Sequence, residues 1–427
     1  MTKKRNSVVK FVASVALAMV MLIGAAVPVF AAGNPITAAD ADHPVAAAIT
    51  KILKMPVGTT TPTATFSFDI VKKSFEDQTS GAGYTAMPAI TGKTVSYTSA
   101  DTAAADASGT ISLPKEVNLF AGVTWPGVGK YAYTVTETQS VTPALGTGQN
   151  MVYSQAVYEV TALVAAHPTT GALYIDSIAA VIVTKDTPGG GNTGDKVDPT
   201  PGGSTNTLGN YSDLTFTNVF YRTPGGPTLT DDILRVSKVV AGVGSDQTKY
   251  FPFSVTVTAP AVIGATTYKA YVLDNTNANV TNNPLNTSAT LGSDANGPCI
   301  NFTSGTPLTV NLKHNQRLVF IELPVGTTFA VTEQSASGYK PSCVYTLDGV
   351  TTNAGAANFG DPLATSVSHV VETPKSSANF TNTYDAQPLT GISMDNLPFI
   401  LMIILLAAGV AGYVVVRSRR SNAARNM

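Results

Sequence analysis

The sequence predicts an all-β protein built from two tandem Ig-like β-sandwiches, with an N-terminal signal peptide and a C-terminal transmembrane helix. Charged residues are only 12% of the 427 residues, about half the usual ~25%, and Thr, Val, Gly and Pro take their place, which suits short strands and turns. Strand-length runs of Val, Thr, Tyr and Ile recur, whereas helical periodicity is weak. Short motifs also repeat in the same order in two halves of the chain, which predicts two similar domains.

The charge balance and the polar residues argue against several classes of function. Lys and Arg total 26 against 27 Asp and Glu, so there is no basic surplus for binding nucleic acid. The sequence shows neither a paired acidic motif nor a nucleophile elbow, so an enzyme such as a secreted glycosidase is not expected. The histidines lack metal-ligand spacing, and we expect no metal and no cofactor. They are His43, His167, His314 and His369.

The N-terminal residues predict a secretory signal peptide over residues 1–31. The stretch MTKKRNSVVK is basic, FVASVALAMVMLIGAAV is apolar, and VFA at 29–31 has the small residues of a cleavage site. A membrane anchor is the alternative, but the apolar run is short and ends in the cleavage pattern. The mature chain is expected to begin near Ala32, with an N-terminal segment over residues 32–45.

The C-terminal residues predict a membrane anchor. The apolar run from Leu397 to Val416 has about the ~20 residues that a spanning helix needs. The tail at 417–427 carries four arginines, which favours a cytoplasmic location for that end. Together with the signal peptide, this anchor predicts that the bulk of the chain is exported and lies outside the cell.

The exported part divides into a first sandwich domain at residues 46–222 and a second at residues 233–385. A Pro/Gly turn cluster, RTPGGPTLTDD, separates them and places a linker at residues 223–232. The stretch at 386–396, between the second domain and the membrane helix, contains the motif QPLTG.

Each half carries the same four markers in the same order. A strand with a lysine comes first, then a Phe-x-Phe strand, a Val-Thr-Glu strand and a closing aromatic strand that ends in asparagine. The markers are Lys51, Phe66-Ser67-Phe68, Glu137 and Asn218 in the first half, and Lys238, Phe251-Pro252-Phe253, Glu333 and Asn382 in the second.

The first half is longer than the second between its glutamate and its asparagine. Much of the excess is a Gly/Pro/Thr-rich stretch from Asp186 to Ser212, which is expected to be an exposed loop that buries no core. Before it, residues 151–166 and 172–184 are expected to form a hairpin joined by HPTTG.

The two cysteines, Cys299 and Cys343, leave two alternatives open. In an exported protein they can form one disulfide. The disulfide is preferred; two separate thiols are the alternative, and nothing in the sequence excludes them.

A lysine, a glutamate and an asparagine that meet in a core can form a crosslink. Burial pushes a lysine toward its neutral amine, which is a nucleophile, and a glutamate toward its protonated acid. The acid can hydrogen-bond the asparagine carbonyl, activate its carbon and shuttle protons while ammonia leaves. The product is an amide bond between the two side chains, and the apolar core excludes competing water.

Strand alternation places both glutamates on an aromatic and therefore inward face. A solvent-facing glutamate is the alternative, but two copies in the same order relative to a lysine and an asparagine disfavour it. The residues that share these faces are Tyr131, Tyr133, Val135 and Glu137 in one strand, and Phe329, Val331 and Glu333 in the other.

The motifs ITKIL, TFSF, YAYTVTE and LTFTN of the first half resemble the streptococcal pilin isopeptide-linkage domain, a relative of the CnaB-like fold of collagen adhesins. The second half resembles it through RVSKVV, LPVGTTFAVTE and NFTN. The resemblance covers residues 46 to 385, nearly all of the exported part, and it implies that both sandwiches are CnaB-like.

The resemblance also implies which residues are bonded. The implied groups are Lys51 with Asn218 and catalytic Glu137, and Lys238 with Asn382 and catalytic Glu333. Lys54 competes with Lys51 for the first bond. Lys51 is preferred because it holds the place before the Phe-x-Phe strand that Lys238 holds in the second half.

The stretch Gln387-Pro388-Leu389-Thr390-Gly391 resembles the LPxTG sorting motif of Gram-positive surface proteins. With the membrane helix and the arginine tail, it implies cleavage by a sortase between Thr390 and Gly391 and transfer of Thr390 to an amine. An amine of cell-wall peptidoglycan would anchor the chain, and a lysine of another copy would extend a fibre. Gln387 replaces the leading leucine, which leaves open which sortase acts.

These features predict a structural subunit of a covalently linked pilus that is anchored to the wall of a Gram-positive cell. The shaft subunit is the preferred assignment. The internal bonds would add mechanical and proteolytic stability. The implied partners are a sortase, other copies of the chain, minor pilins and peptidoglycan, and a host surface ligand is left open. The acceptor lysine is expected to be Lys196 or, second, Lys185, unless these are only solubilising. A wall-anchored adhesin that does not polymerise is the alternative function.

Overall fold

A computed structural model describes most of the two predicted sandwich domains and the C-terminal helix. The described residues are 45–187, 191–202, 211–225, 228–264, 266–282, 291–347, 350–356, 358–365, 369–370, 376–384 and 397–424. The predicted signal peptide and the sorting motif lie outside the described residues.

The first sandwich consists of two sheets. Their orders are β4-β1-β10-β6 and β3-β2-β5-β7-β8-β9, and a core rich in aromatic residues lies between them. The elements described are β1 (Ala48–Pro56), β2 (Ala64–Phe75), α1 (Ala82–Ala86), β3 (Thr94–Tyr97), β4 (Thr110–Asn118), β5 (Gly129–Thr142), β6 (Gln149–Val152), β7 (Val157–Ala166), β8 (Leu173–Thr184), β9 (Lys196–Val197) and β10 (Thr215–Arg222).

The second sandwich also consists of two sheets. One has the order β14-β15-β13-β17-β11-β23-β19-β20, and the other has the order β16-β12-β18-β21 with β22 also on β18. The strands described are β11 (Leu234–Ala241), β12 (Phe251–Thr258), β13 (Thr267–Leu273), β14 (Leu291–Asp294), β15 (Gly297–Thr303), β16 (Leu308–Leu312), β17 (Gln316–Phe320), β18 (Thr328–Glu333), β19 (Tyr339–Leu347), β20 (Val350–Gly355), β21 (Leu363–Ala364), β22 (His369–Val370) and β23 (Ser376–Tyr384).

Strand β5 shows how the sequence pattern selects its inward face. Tyr133, Val135 and Glu137 are buried, whereas Thr134 and Thr136 between them are partly exposed. Side chains of a strand alternate between its two faces, so every second residue lies on the core. Strand β18 follows the same alternation and also buries its final glutamate. The all-β prediction and the inward glutamates are confirmed.

In each sandwich the first and last strands are parallel neighbours. Strand β1 pairs with β10, and β11 pairs with β23. Parallel neighbours require a long crossover connection, and here the rest of each domain provides it. This pairing places the N-terminal lysine of each domain beside its C-terminal asparagine.

Two details differ from the sequence predictions. The predicted strand at 151–166 is divided, because β6 joins β10 in one sheet whereas β7 pairs with β8 in the other. The stretch after β8 is not wholly exposed: β9 pairs with β8, and Asp186 and Ser212 are buried. Val197 packs against the first core, and hydrogen bonds of the Asp186 and Ser212 side chains also hold the stretch on the domain. The expectation that this stretch buries no core is therefore wrong.

The disulfide alternative is wrong, because Cys299 and Cys343 are free and buried. Cys299 lies on β15 and Cys343 on β19, which stand five places apart in the eight-stranded sheet. At ~4.8 Å per strand their separation is about 24 Å, far beyond the ~7 Å between Cα atoms that a disulfide can bridge.

Helix α2 (Leu397–Ala424) contains the predicted membrane span. Its stretch Pro398–Arg420 is long and apolar enough to cross a membrane, and none of it is buried against the described chain. The helix continues past the apolar run into the arginine-rich tail, as a basic anchor at the cytoplasmic boundary would.

Candidate functional site

Lys51 lies at the centre of the first sandwich with a fully buried side chain. Strand pairing sets it directly beside Phe216 of β10. Its Nζ donates to Oε2 of Glu137 at 3.0 Å, lies 2.8 Å from Oε1 of that carboxylate, and donates to the carbonyl oxygen of Phe216 at 3.2 Å. A buried ammonium is costly without such partners, so this contact fixes the lysine on Glu137.

Asn218 meets the same carboxylate from the neighbouring strand. Its Nδ2 donates to Oε1 of Glu137 at 3.0 Å, and its Oδ1 accepts the backbone N–H of Ser154 at 2.7 Å. Asn218 is fully buried. The nucleophile, the carboxyl group and the amide predicted from the sequence are therefore brought together out of water.

The second sandwich brings together its own lysine, glutamate and asparagine. Nζ of Lys238 lies 2.6 Å from Oε1 of Glu333, and Nδ2 of Asn382 donates to the same oxygen at 2.6 Å. All three residues are buried. Within the described part of the chain, Oε2 of Glu333 and Oδ1 of Asn382 have no hydrogen-bond partner, so this site is less completely satisfied than the first.

The Phe-x-Phe strand of the first sandwich forms an aromatic frame around its site. The ring centroid of Phe66 lies 4.6 Å from Nζ of Lys51, a cation–π contact. Phe68 is the strand partner of Glu137, and its ring lies 5.2 Å from that of Phe216. The two phenylalanines thus cover the lysine and the glutamate and exclude water from them.

The second sandwich repeats this frame. The ring centroid of Phe251 lies 4.3 Å from Nζ of Lys238. Phe253 is the strand partner of Glu333, and its ring lies 5.1 Å from that of Phe380. The correspondence that the sequence predicted between the two Phe-x-Phe strands therefore extends to the same contacts at the same strand positions.

Burial moves the buried lysine and carboxyl groups toward their neutral forms. It lowers the pKa of Lys51 to about 8, and the attraction of Glu137 only partly opposes this shift. It lowers the pKa of Lys238 to about 8 in the same way, and it raises the pKa of Glu137 and of Glu333. Transfer of a proton from lysine to glutamate, which would produce a nucleophilic amine, is thereby made easier.

Both sites differ in one respect from the chemistry predicted from the sequence, since Glu333 also contacts the amide nitrogen of its asparagine, Asn382. Glu137 contacts the amide nitrogen of Asn218 rather than its carbonyl oxygen, because the backbone N–H of Ser154 occupies that oxygen. In this arrangement the carboxyl group can deliver a proton to the nitrogen that must leave. The carbonyl oxygen faces a backbone N–H instead.

The remaining predicted residues lie apart from the two sites. Lys54 is only partly buried and stands on the opposite face of β1 from Lys51. Lys185 and Lys196 are exposed. No group of metal-ligating side chains occurs among the described residues.

Two residues of the first site were not predicted. Besides Ser154, the buried carboxylate of Asp186 contacts the chain around the site: it accepts the Ser154 hydroxyl and the backbone N–H groups of Gln155 and Thr217. Ser154 lies in the break between β6 and β7, and Asp186 lies in the Gly/Pro-rich stretch. Neither position carries a periodic pattern that could have revealed it.

Comparison with known proteins gives a different result for each half. Residues 233–393 match the model of a domain of unknown function, DUF7601. Residues 47–221 match a family described as the Spy0128-like isopeptide containing domain. No curated protein matches the chain.

Major pilins of Streptococcus pyogenes are among the similar solved structures. One is 18% identical, covers 79% of this chain and 98% of its own, and has a TM-score of 0.31. Another, T3.2, is 18% identical, covers 78% and 96%, and has a TM-score of 0.28. Because these scores are low, the assignment depends on the family match. The match of residues 47–221 to the Spy0128-like isopeptide containing domain agrees with the resemblance of the motifs in the first sandwich.

Proposed function

We propose that the chain is a structural subunit, specifically the shaft subunit, of a covalently linked pilus on a Gram-positive cell. The observation that carries this proposal is the buried lysine–glutamate–asparagine group, which recurs with the same strand register in both sandwiches. The family match of the first sandwich supports it. The chemistry acts once within each domain and turns over no external substrate, so the role is structural rather than enzymatic.

The first site can join its lysine and asparagine without a co-reactant. Glu137 takes a proton from the Lys51 ammonium, and the resulting amine bonds to Cγ of Asn218. Glu137 then delivers this proton to Nδ2 and takes a second proton from Nζ. The Cγ–Nδ2 bond breaks, ammonia leaves, and an amide remains with Glu137 protonated. The second site repeats these steps with its own three side chains.

Sorting at the C-terminus would convert the subunit into a fibre. Helix α2 holds the chain in the membrane until a sortase cleaves between Thr390 and Gly391. The Thr390 carbonyl then passes to a lysine of the next copy, and at the base of the fibre it passes to peptidoglycan. Lys196 is the preferred acceptor because it is exposed on β9, an edge strand of its sheet. Lys185 is the second candidate. Minor pilins would join by the same reaction.

The intact mass of the purified protein tests the internal bonds. Two bonds lower the mass by two ammonia molecules, and Glu137→Ala and Glu333→Ala should each restore one. A wild-type mass equal to that of the unmodified sequence would remove the basis of the proposal.

Hot detergent treatment of isolated cell-surface material tests polymerisation. A pilus subunit gives a ladder of covalent multimers, whereas a single band identifies the chain as a wall-anchored adhesin. Lys196→Arg should abolish the ladder because a guanidinium does not replace the acceptor amine, and Lys185→Arg is the matched control. The reverse result would assign the acceptor to Lys185.

A further inference from the structure

The amide oxygen of Asn218 has a fixed hydrogen-bond donor. The backbone N–H of Ser154 points at Oδ1 over 2.7 Å. Since a backbone N–H can only donate, this contact fixes the orientation of the amide and turns Nδ2 toward Glu137. The oxygen that would become negative during attack by a lysine therefore already faces a donor.

One buried carboxylate holds this donor in place. Oδ1 of Asp186 accepts the Ser154 hydroxyl at 2.7 Å and the N–H of Gln155 at 3.2 Å. Its Oδ2 accepts the N–H of Thr217 at 2.8 Å, next to Asn218 in the sequence. Asp186 thus ties the turn that supplies the donor to the strand that carries the amide. It takes no part in the proton transfers proposed above.

We propose that the Ser154 N–H is an oxyanion donor in the formation of the Lys51–Asn218 bond and that Asp186 is its positioning residue. This inference rests on the proposed function because it concerns the same reaction. When Nζ bonds to Cγ, the carbonyl electrons move onto Oδ1, and a fixed N–H stabilises the charge there. When ammonia leaves, the electrons return and the carbonyl is restored.

The second sandwich supplies an internal reference. The strand residue directly opposite Asn382 is Pro341, which has no backbone N–H to donate. Oδ1 of Asn382 has no partner among the described residues. A change at Asp186 should therefore affect the first crosslink and leave the second, in the same molecule, unchanged.

The two crosslinks and the folding of the first sandwich can be followed in one experiment. The full chain is collected in denaturant before it has folded, so that neither crosslink has formed. It is then diluted into detergent, and samples are quenched at intervals. The linked peptides are quantified by mass spectrometry after digestion. Trp125 is the sole tryptophan and is buried in the first core. Its fluorescence therefore reports folding of that sandwich separately from bond formation.

Asp186→Ala is expected to slow the first crosslink by at least about tenfold. The Trp125 folding phase and the second crosslink should stay within about twofold of wild type. Asp186→Asn, which keeps one acceptor oxygen for the turn, should recover part of the rate. Ser154→Pro removes the donor itself, and a loss of about 10²–10³-fold is expected for an oxyanion-hole donor.

A first crosslink that forms in Asp186→Ala within about twofold of the wild-type rate overturns the inference. So does slowing that only matches slowing of the Trp125 phase, since Asp186 would then act on folding. Should that variant not fold, Ser154→Ala, which keeps the N–H but loses the contact with Asp186, must still slow the first crosslink. If the folded wild type forms neither crosslink, the proposed function fails, and this result is distinct from a linked but insensitive variant.

Discussion

Lys51 of β1 is the direct strand partner of Phe216 of β10. Phe216 stands two residues before Asn218, so both of these side chains lie on the face that the lysine shares. The lysine of β11 and the asparagine of β23 have the same offset in the second sandwich. A register slip of one residue would turn the amide to the opposite face, so the pairing of first and last strands determines which side chains can react.

Replacement of Lys51 should remove the first crosslink, whereas replacement of Lys54 should not. Lys54 lies on the opposite face of β1 and is only partly buried, so it cannot substitute for Lys51. We expect the measured mass of Lys51→Ala to lie below the mass calculated from its sequence by only one ammonia molecule, the one released by the second crosslink. Digestion should find Asn218 unlinked in Lys51→Ala and linked in Lys54→Ala, and a peptide that joins Lys54 to Asn218 would contradict the assignment.

Loss of the first crosslink should destabilise the first sandwich by about 5 kcal/mol. A bond between the two ends of a domain restricts the unfolded chain, and the loop-closure model gives this magnitude for a loop of about 150 residues or more. The variant Lys51→Met with Glu137→Gln removes the bond together with both buried charges. Urea unfolding followed by Trp125 fluorescence measures the change.

The matched change in the second sandwich, Lys238→Met with Glu333→Gln, serves as the control. It should leave the urea midpoint of the Trp125 fluorescence transition unchanged, because that side chain is buried in the first core. A difference of less than about 1 kcal/mol between the unlinked and linked first sandwich would show that the bond contributes little to stability.

The rate of the first crosslink should pass through a maximum as the pH is varied. Burial raises the pKa of Glu137, and below that pKa the protonated carboxyl cannot accept the lysine proton, so the rate falls toward acid. Burial lowers the pKa of Lys51 to about 8, and above it the pair has lost the proton that the leaving nitrogen needs. Time courses across about pH 4 to 10 measure this profile. A rate that keeps rising above about pH 10 would argue against Glu137 as the proton donor.

Both cysteines should resist thiol reagents while the protein is folded. Burial raises the pKa of the Cys343 thiol to about 12, and it also raises the pKa of Cys299, so neither forms much of the reactive thiolate near neutral pH. Maleimide should label neither thiol in the native protein and both in denaturant without a reductant. Two thiols that stay unlabelled in denaturant until they are reduced would indicate a disulfide.

Much of the fold and of the two sites was predictable because the key residues obey local rules. Alternation along β5 and β18 is a property of any strand with one buried face, so the sequence indicated that Glu137 and Glu333 point inward. The repeated order of lysine, Phe-x-Phe, glutamate and asparagine then linked positions far apart in the chain. Residue type and spacing were sufficient here because each marker lies within a regular strand.

The unpredicted features depend on contacts between distant segments. Asp186 is buried because three hydrogen bonds reach it from two other segments, and its Gly/Pro-rich surroundings in the sequence indicate only a loop. The separation of Cys299 from Cys343 depends on the order of strands in a sheet, which residue spacing does not encode. The break after β6 likewise follows from a change of sheet partner rather than from a turn motif.

The parallel pairing of β1 with β10 has a consequence for the export that the N-terminal sequence predicts. A secreted chain leaves the cell from its N-terminus, so β1 emerges early and its partner arrives only after every other strand of the domain. The proposed bond can therefore close only when an entire domain has been translocated. Only a completely translocated domain could then form the crosslink. In a chain that stalls midway, the lysine has no asparagine to react with, and the unlinked domain remains susceptible to extracellular proteases.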